Sequence, residues 1–331
     1  MNSAFSSVDA LMMRRALQLA RDGALHAHPN PMVGAVIATP SGRVIGEGWH
    51  RRCGEGHAEV NAVASVAPSD RHLLSQSTIY VTLEPCSHYG KTPPCAKLII
   101  ESGIPRVIAA TLDPFAKVSG RGVAMLREAG VEVLTGLMEE EARSLNRPFF
   151  TAHTLRRPFI TLKWAQSADG YIDGRNPGEG PAAISSPVTR AEAHKLRACH
   201  DAILVGSGTL WADAPSLTVR HFAGDSPRRF VASRSGLTVA PDGWQVCGEP
   251  SVAELAAALY EQGVTSLLVE GGARLLQSFI DAGLYDALHV EVDPSCRLAS
   301  KTVTVKAPRI SLPGEAPIVM DSHLIYIANT H

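Results

Sequence analysis

Four residues in the first third of the chain have the types and spacing to do chemistry together. His57 and Glu59 lie two apart in "GHAEV", and Cys86 and Cys95 lie nine apart in "VTLEPCSHYGKTPPC", each directly after a proline. Two thiolates and an imidazole supply three ligands for a tetrahedral Zn2+ and leave the fourth position to water. Because two thiolates already neutralise the ion, that water needs a base as well. Glu59, on the first helical turn after His57, cannot reach the same metal vertex but can face the water and carry its proton to a leaving amine. His57 and Cys86 are both expected near a helix start, where the positive end favours thiolate and hydroxide.

Each of these residues taken singly also reads as a surface histidine or a small buried hydrophobe. A structural zinc is a further reading, and His88 or Cys53 could supply its fourth ligand. The order H-x-E…P-C…C is the signature of zinc nucleobase deaminases, with eight residues rather than two between the cysteines. The longer loop carries Ser87, His88, Gly90 and Lys91, all able to contact a substrate.

A second candidate is "LVEGGARLL", where Gly271 and Gly272 stand between an apolar strand and a helix. Backbone N–H groups at such a helix start can cradle a pyrophosphate. A plain tight turn reads equally well, and G-x-G-x-x-G, the usual dinucleotide fingerprint, is absent.

The elements that must position these groups follow from patterning. The chain has 331 residues, 45% hydrophobic and 19% charged, with a formal net charge of -1. That length suits two domains, and the charge argues against a nucleic-acid partner. The N-terminus reads as an amphipathic helix from a Ser7 cap to Gly23, and no apolar run is long enough to span a membrane. A cytoplasmic protein is expected, with its six cysteines as thiols or ligands rather than disulfides. Strand and helix signals alternate from "MVGAVIA" to a last helix in "EEEARSLN". They resume after a polar break at "TAHTLRRPF" with "FITLKWA", and the tail segments "VTVKA" and "HLIYIAN" read as closing strands. Both halves are α/β.

The segments "HPNPMVGAVI", "GEGWH", "GHAEVNAV", "YVTLEPCSHYGKTPPC" and "SGIPRVIAATLDP" closely resemble the deaminase half of the bifunctional riboflavin-biosynthesis deaminase/reductase family. "ITLKWAQSADG", "HKLRACHDAILVGSGTLWADAPSLTVR" and "LLVEGGARLLQSFIDAGLYDALHV" resemble its reductase half. The resemblance implies a cytidine-deaminase-like three-layer domain over residues 1–150 and a dihydrofolate-reductase-like domain over 158–331. It implies deamination of a diaminopyrimidinone carrying ribosylamine 5-phosphate, then NADPH-dependent reduction of the ribosyl group to ribityl. His57, Cys86 and Cys95 would hold zinc, with Glu59 as acid/base and Asn30, His50 and Lys91 on the substrate. In the second half, Lys163, Arg197, Leu217, Arg220 and Glu270 would face the substrate, with Arg197 and Arg220 as phosphate clamps. Ala165, Thr209, Asp213, Ser233, Gly271 and Gly272 would contact NADPH. A homo-oligomer is the expected assembly.

The chain departs from the family pattern at several positions. Phe115 replaces a hydrogen-bonding amide, since "DPFA" stands for "DPNP". "SADG" stands for "SLDG", Ala183 for a tryptophan, Ala214 for an acid and Ala232 for an aspartate, and "DPSCRLAS" replaces a glycine-containing stretch. These departures keep two other readings open: a paralogue with a weakened or redirected reductase in a related pyrimidine-derived pathway, and a non-catalytic binding protein on the same fold.

Overall fold

The computed structural model describes residues 5–89, 93–115, 119–233, 240–312, 314 and 316–329. The chain divides into two compact units between Leu155 and Arg156.

The first unit opens with α1 (Ser7–Arg21). Its cap is Ser6, one residue earlier than expected. The Ser6 hydroxyl accepts from the Asp9 N–H at 3.1 Å, and the Asp9 carboxylate accepts from the Ser6 N–H at 2.8 Å. That reciprocal pair is available only with the cap at Ser6. The helix closes on Asp22, just before Gly23.

Five strands follow: β1 (Gly34–Ala38), β2 (Val44–Trp49), β3 (Thr78–Val81), β4 (Arg106–Ala109) and β5 (Glu132–Thr135). Their order is β2-β1-β3-β4-β5, with β1 antiparallel to both neighbours and β3, β4 and β5 parallel. Between them come α2 (Ala58–Ala64), α3 (Cys95–Glu101) and α4 (Arg121–Glu128), then α5 (Glu139–Leu145) and α6 (Arg147–Leu155). Successive strand residues face opposite sides. Ile37, Val81 and Ala109 join Ala62 of α2, Ile99 of α3 and Leu126 of α4 in one core. Val36, Tyr80 and Ile108 pack instead with Met13 and Ala16 of α1 and Ala142 of α5. The result is helix, sheet, helix.

Helix α6 runs into the stretch expected as the break, and the units divide within that stretch. Residues 151–155 are helical, because Phe150 and Ala152 bury one side of the segment.

In the second unit the strands are β6 (Phe159–Ser167), β7 (Tyr171–Arg175), β8 (Ala202–Gly206), β9 (Arg228–Ala232), β10 (Trp244–Cys247), β11 (Ser266–Val269), β12 (Ala287–Asp293), β13 (Val303–Lys306), β14 (Ile318–Met320) and β15 (His323–Asn329). The helices are α7 (Pro187–Ala198), α8 (Ser207–Asp213), α9 (Val252–Glu261) and α10 (Ala273–Asp281). The main sheet runs β10-β9-β8-β11-β6-β12-β15-β14, parallel as far as β12 and antiparallel beyond. "HLIYIAN" does close against β12. "VTVKA" does not: β13 pairs with β7 in a separate ribbon, and its exposed residues offer no buried face to the main sheet. Leu162, Leu204 and Phe230 pack with Leu276 and Phe279 of α10 on one face, while Ile203, Val205 and Leu268 form a smaller cluster on the other. Gly206, Ser233 and Glu270 follow the carboxyl ends of the parallel strands β8, β9 and β11, where α/β sheets place ligands.

Candidate active sites

In the first unit, His57 is the N-cap residue of α2 in extended conformation, and Cys95 is the first residue of α3. Cys86 corrects the expectation of a helix start, because it lies in the loop after β3. It nevertheless meets a helix start, for its sulfur accepts the Cys95 N–H at 3.3 Å and its carbonyl accepts the Ala96 N–H at 3.1 Å. The loop is fixed one residue upstream of Pro85. Glu84 is buried and accepts from the backbone N–H groups of Asp113 (3.2 Å), Gly120 (2.9 Å), Gly122 (2.9 Å) and Val123 (3.2 Å). A side chain at 122 would collide with the Pro85 carbonyl oxygen, so glycine alone lets α4 come this close.

The His57 Nδ1 atom lies 3.6 Å from the Cys86 sulfur and 3.3 Å from the Cys95 sulfur, and all three donor atoms fall within 4.8 Å of one another. A tetrahedral zinc with ordinary Zn–S and Zn–N bonds sets its ligand atoms roughly 3.5–3.8 Å apart, so this donor set fits the ion. Among the described residues no fourth histidine, cysteine or carboxylate joins the cluster, and Cys53 is exposed elsewhere. The hydrogen bond from Cys95, followed by that from His57, lowers Cys86 to about 4, whereas Cys95 is pushed up by the same sulfur contact and by burial. The Cys86 contact also raises His57.

Glu59 sits in the first turn of α2, 3% exposed, and burial pushes its carboxyl up to about 7. A pocket of about 230 Å³ joins it to Asn30, His50, His57 and Cys86. The Asn30 amide nitrogen lies 3.1 Å from His50 Nε2, and His50 Nδ1 lies 3.2 Å from the Gly56 carbonyl. A carbonyl only accepts, so Nδ1 carries the proton and Nε2 accepts from Asn30. Burial lowers the His50 pKa and keeps that ring neutral. Lys91 lies outside the described residues. Sequence reasoning missed Asp113, Phe149 and His153, which line the same pocket beside Phe115. The i, i+4 spacing of Phe149 and His153 could have revealed a shared helix face.

The second unit holds a cleft of about 1380 Å³ that brings together Lys163, Ala165, Arg197, Thr209, Asp213, Arg220, Ser233, Glu270, Gly271 and Gly272. Leu217 is the exception. Its side chain is buried with Ile203, Val205 and Leu268, because an apolar side chain on that turn gains more from the cluster than from an open cleft. Arg197 forms a two-pronged ion pair with Glu270. Burial opposes ionisation of Glu270, but the charges of Lys163 and Arg197 outweigh it and hold its carboxyl below the usual range. Arg220 donates its backbone N–H to His194 Nδ1 at 2.9 Å and its guanidinium to the Thr218 hydroxyl at 3.0 Å. Asp213 pairs with Arg175 at 2.5 Å. Gly272 has φ +60, and a Cβ there would stand 3.1 Å from the Thr209 hydroxyl. Ala183 and Ala232 line the cleft; Ala214 ends α8 at φ +40.

No helix among the described residues is long and apolar enough to cross a membrane. Two protein-family models match the chain: the cytidine and deoxycytidylate deaminase zinc-binding region over residues 6–111, and the RibD C-terminal domain over 158–296. Riboflavin biosynthesis protein RibD of Aquifex aeolicus is 38% identical over 317 residues, 87% of each chain. That of Escherichia coli is 45% identical over 212 residues, 64% of this chain and 56% of the other. A Thermotoga maritima crystal structure, of a diaminohydroxyphosphoribosylaminopyrimidine deaminase/5-amino-6-(5-phosphoribosylamino)uracil reductase, matches with TM-score 0.83 at 34% identity, over 97% of this chain and 98% of that one.

Proposed function

This chain belongs to the RibD family of bifunctional deaminase/reductase enzymes of riboflavin biosynthesis, and on that premise we propose how its two pockets divide the work. The first unit deaminates a diaminopyrimidinone carrying ribosylamine 5-phosphate. The second reduces the ribosyl group of the product to ribityl, with NADPH as its nicotinamide cofactor.

His57, Cys86 and Cys95 hold zinc, which when bound supplies the Lewis acidity that makes water a nucleophile at neutral pH. Glu59 carries the assignment: a buried carboxyl beside three metal donors, poised at about 7. Such a group can take a proton from the attacking water and release it to the departing amine, and a pKa near the working pH makes both steps accessible. Asn30 and His50, linked to each other, orient the pyrimidine, and Lys91 completes the substrate contacts.

In the second unit, Gly271 and Gly272 leave the backbone before α10 open to a pyrophosphate, with Thr209, Asp213, Ser233 and Ala165 as the other cofactor contacts. The nicotinamide supplies the hydride when bound. Lys163 sits on β6 in the same cleft and, with Glu270 and Arg220, positions the phosphorylated ribose. Arg197 holds the Glu270 carboxylate in place through Nε and Nη2, and its remaining Nη hydrogens still face an acceptor in the cleft. The enzyme works in the cytoplasm as a homo-oligomer.

Incubating zinc-replete protein with the pathway pyrimidine, with and without NADPH, and identifying the products by mass tests both halves. Deamination without NADPH and a further two-hydrogen gain with it are expected. No ammonia release would overturn the deaminase assignment, and a deaminated but never reduced product would overturn the reductase one.

A further inference from the structure

We propose that His153 is a substrate-contacting, specificity-determining residue of the deaminase pocket, reading a polar edge of the pyrimidine ring with a neutral imidazole. This rests on the deaminase reading of that pocket.

Several other polar groups on the pocket wall are already engaged. Glu84 is engaged by four backbone N–H groups. Asn30 and His50 bond each other, His57 and Cys86 belong to the metal donors, and the Asp113 carboxylate accepts the Phe115 N–H at 2.8 Å. Part of the same wall is aromatic. His153 meets Phe115 edge-on at 5.4 Å and Phe149 at 4.5 Å between ring centroids. These two contacts fix the plane of the imidazole.

Among the described residues, neither ring nitrogen of His153 has a hydrogen-bond partner. Nδ1 is buried; Nε2 is not among the buried unpaired atoms and so stays reachable. Nε2, unpaired within the chain and reachable, is the nitrogen left to meet a ligand. Burial lowers the His153 pKa, which favours the neutral ring. Depending on its tautomer, a neutral imidazole presents at Nε2 either an N–H or a lone pair, so it can meet one amine, ring nitrogen or carbonyl on the edge of an aminopyrimidinone. It offers no charge to attract a phosphate. Phe115 cannot make that polar contact, and its ring abuts the one residue on this wall that can.

The test uses the full-length, zinc-loaded chain. In Glu59→Gln, which binds without turning over, calorimetry measures affinity for the pathway pyrimidine and, separately, for ribose 5-phosphate. Adding His153→Phe should weaken pyrimidine binding roughly tenfold, the loss of one hydrogen bond that also leaves its partner unpaired. His153→Gln, which keeps a donor and an acceptor, should recover most of that, and ribose 5-phosphate affinity should not move. In the otherwise wild-type chain, His153→Phe should raise KM with kcat nearly unchanged and zinc content intact. Unchanged pyrimidine affinity in His153→Phe overturns the proposal, as does His153→Gln binding no better than His153→Phe, an equal loss for ribose 5-phosphate, or no pyrimidine binding by Glu59→Gln itself. Failure of the deaminase reading looks different: the wild-type chain would release no ammonia, whatever the binding data show.

Discussion

Glu270 grips Arg197 at two points, 2.9 Å to Nε and 2.6 Å to Nη2, with both side chains largely buried in the wall of the second cleft. A guanidinium held through Nε and Nη2 spends one edge on a carboxylate of the same chain, leaving Nη1 and the second Nη2 hydrogen for a further acceptor. Arg220 keeps its guanidinium exposed, with a bond to Thr218, and is the better placed of the two for a phosphate.

Removing one partner of such a pair leaves the other charge buried alone, at a cost of about 3–5 kcal/mol. Arg197→Met should therefore lower the melting temperature of the second unit markedly, and Arg197→Met/Glu270→Gln should recover part of it. Zinc content and ammonia release should be unaffected. Thermal unfolding of both variants beside the wild type checks this.

Glu59→Gln keeps the shape of the pocket and removes the base. Zinc content should remain that of the wild type while deamination falls by about 10²–10⁴-fold, the usual contribution of a positioned acid/base. Metal analysis and ammonia release on one preparation are the measurement.

Cys86→Ala should lose zinc. The sulfur it removes is the one held as thiolate by Cys95 and His57, and it also accepts the Cys95 N–H. The remaining two donors do not make a three-ligand site. Undiminished zinc in this variant would refute the ligand assignment.

His289 makes the second unit sensitive to acid. Burial, and then the charge of Lys163, lowers its pKa from 6.5 to about 4. Between those values the unfolded chain binds a proton that the folded chain refuses. Its contribution is thus fully present above pH 6.5 and is lost as the pH falls toward 4. Melting temperature against pH should drop less steeply over that window in His289→Leu than in the wild type.

NADPH should bind saturably, followed by cofactor fluorescence, with affinity reduced by up to roughly tenfold for want of an aromatic surface at Ala183. Gly272→Ala should weaken it further, since φ +60 strains any side chain and the new methyl would crowd the Thr209 hydroxyl. No saturation at millimolar cofactor would exclude NADPH as the nicotinamide used.

The metal donors were legible in the sequence because spacing alone brings them together: His57 just before a helix, Cys95 as the first residue of another, and Pro-Cys at a strand exit. Glu59 was legible from the same turn. The aromatic wall was hidden because Phe149 and His153 sit on α6, whose polar surface reads as a linker when its two buried positions go unweighed. Leu217 was misplaced, and the pairing of Arg197 with Glu270 was unseen, for a common reason. Position in a motif tells which residue is near a cleft, but an apolar cluster or a nearby carboxylate decides where its side chain goes. "VTVKA" was legible as a strand but its partner was not, because β13 is exposed along its length and has no buried face to show which sheet it joins.

The side-chain amide of Asn146 bonds the Met32 N–H and carbonyl, each at 2.8 Å, across 114 residues of sequence, as a neighbouring strand would. It thereby pins the loop that presents Asn30, while the Phe149 and His153 wall comes from still later in the chain. During synthesis the five strands of the sheet would be available before the ribosome had released the residues that finish the pocket. A nascent chain halted just short of Asn146 would carry its metal donors, its base, Asn30 and His50, yet lack both the amide that pins the Met32 loop and the Phe149 and His153 wall, which come with the last ten residues of the first unit.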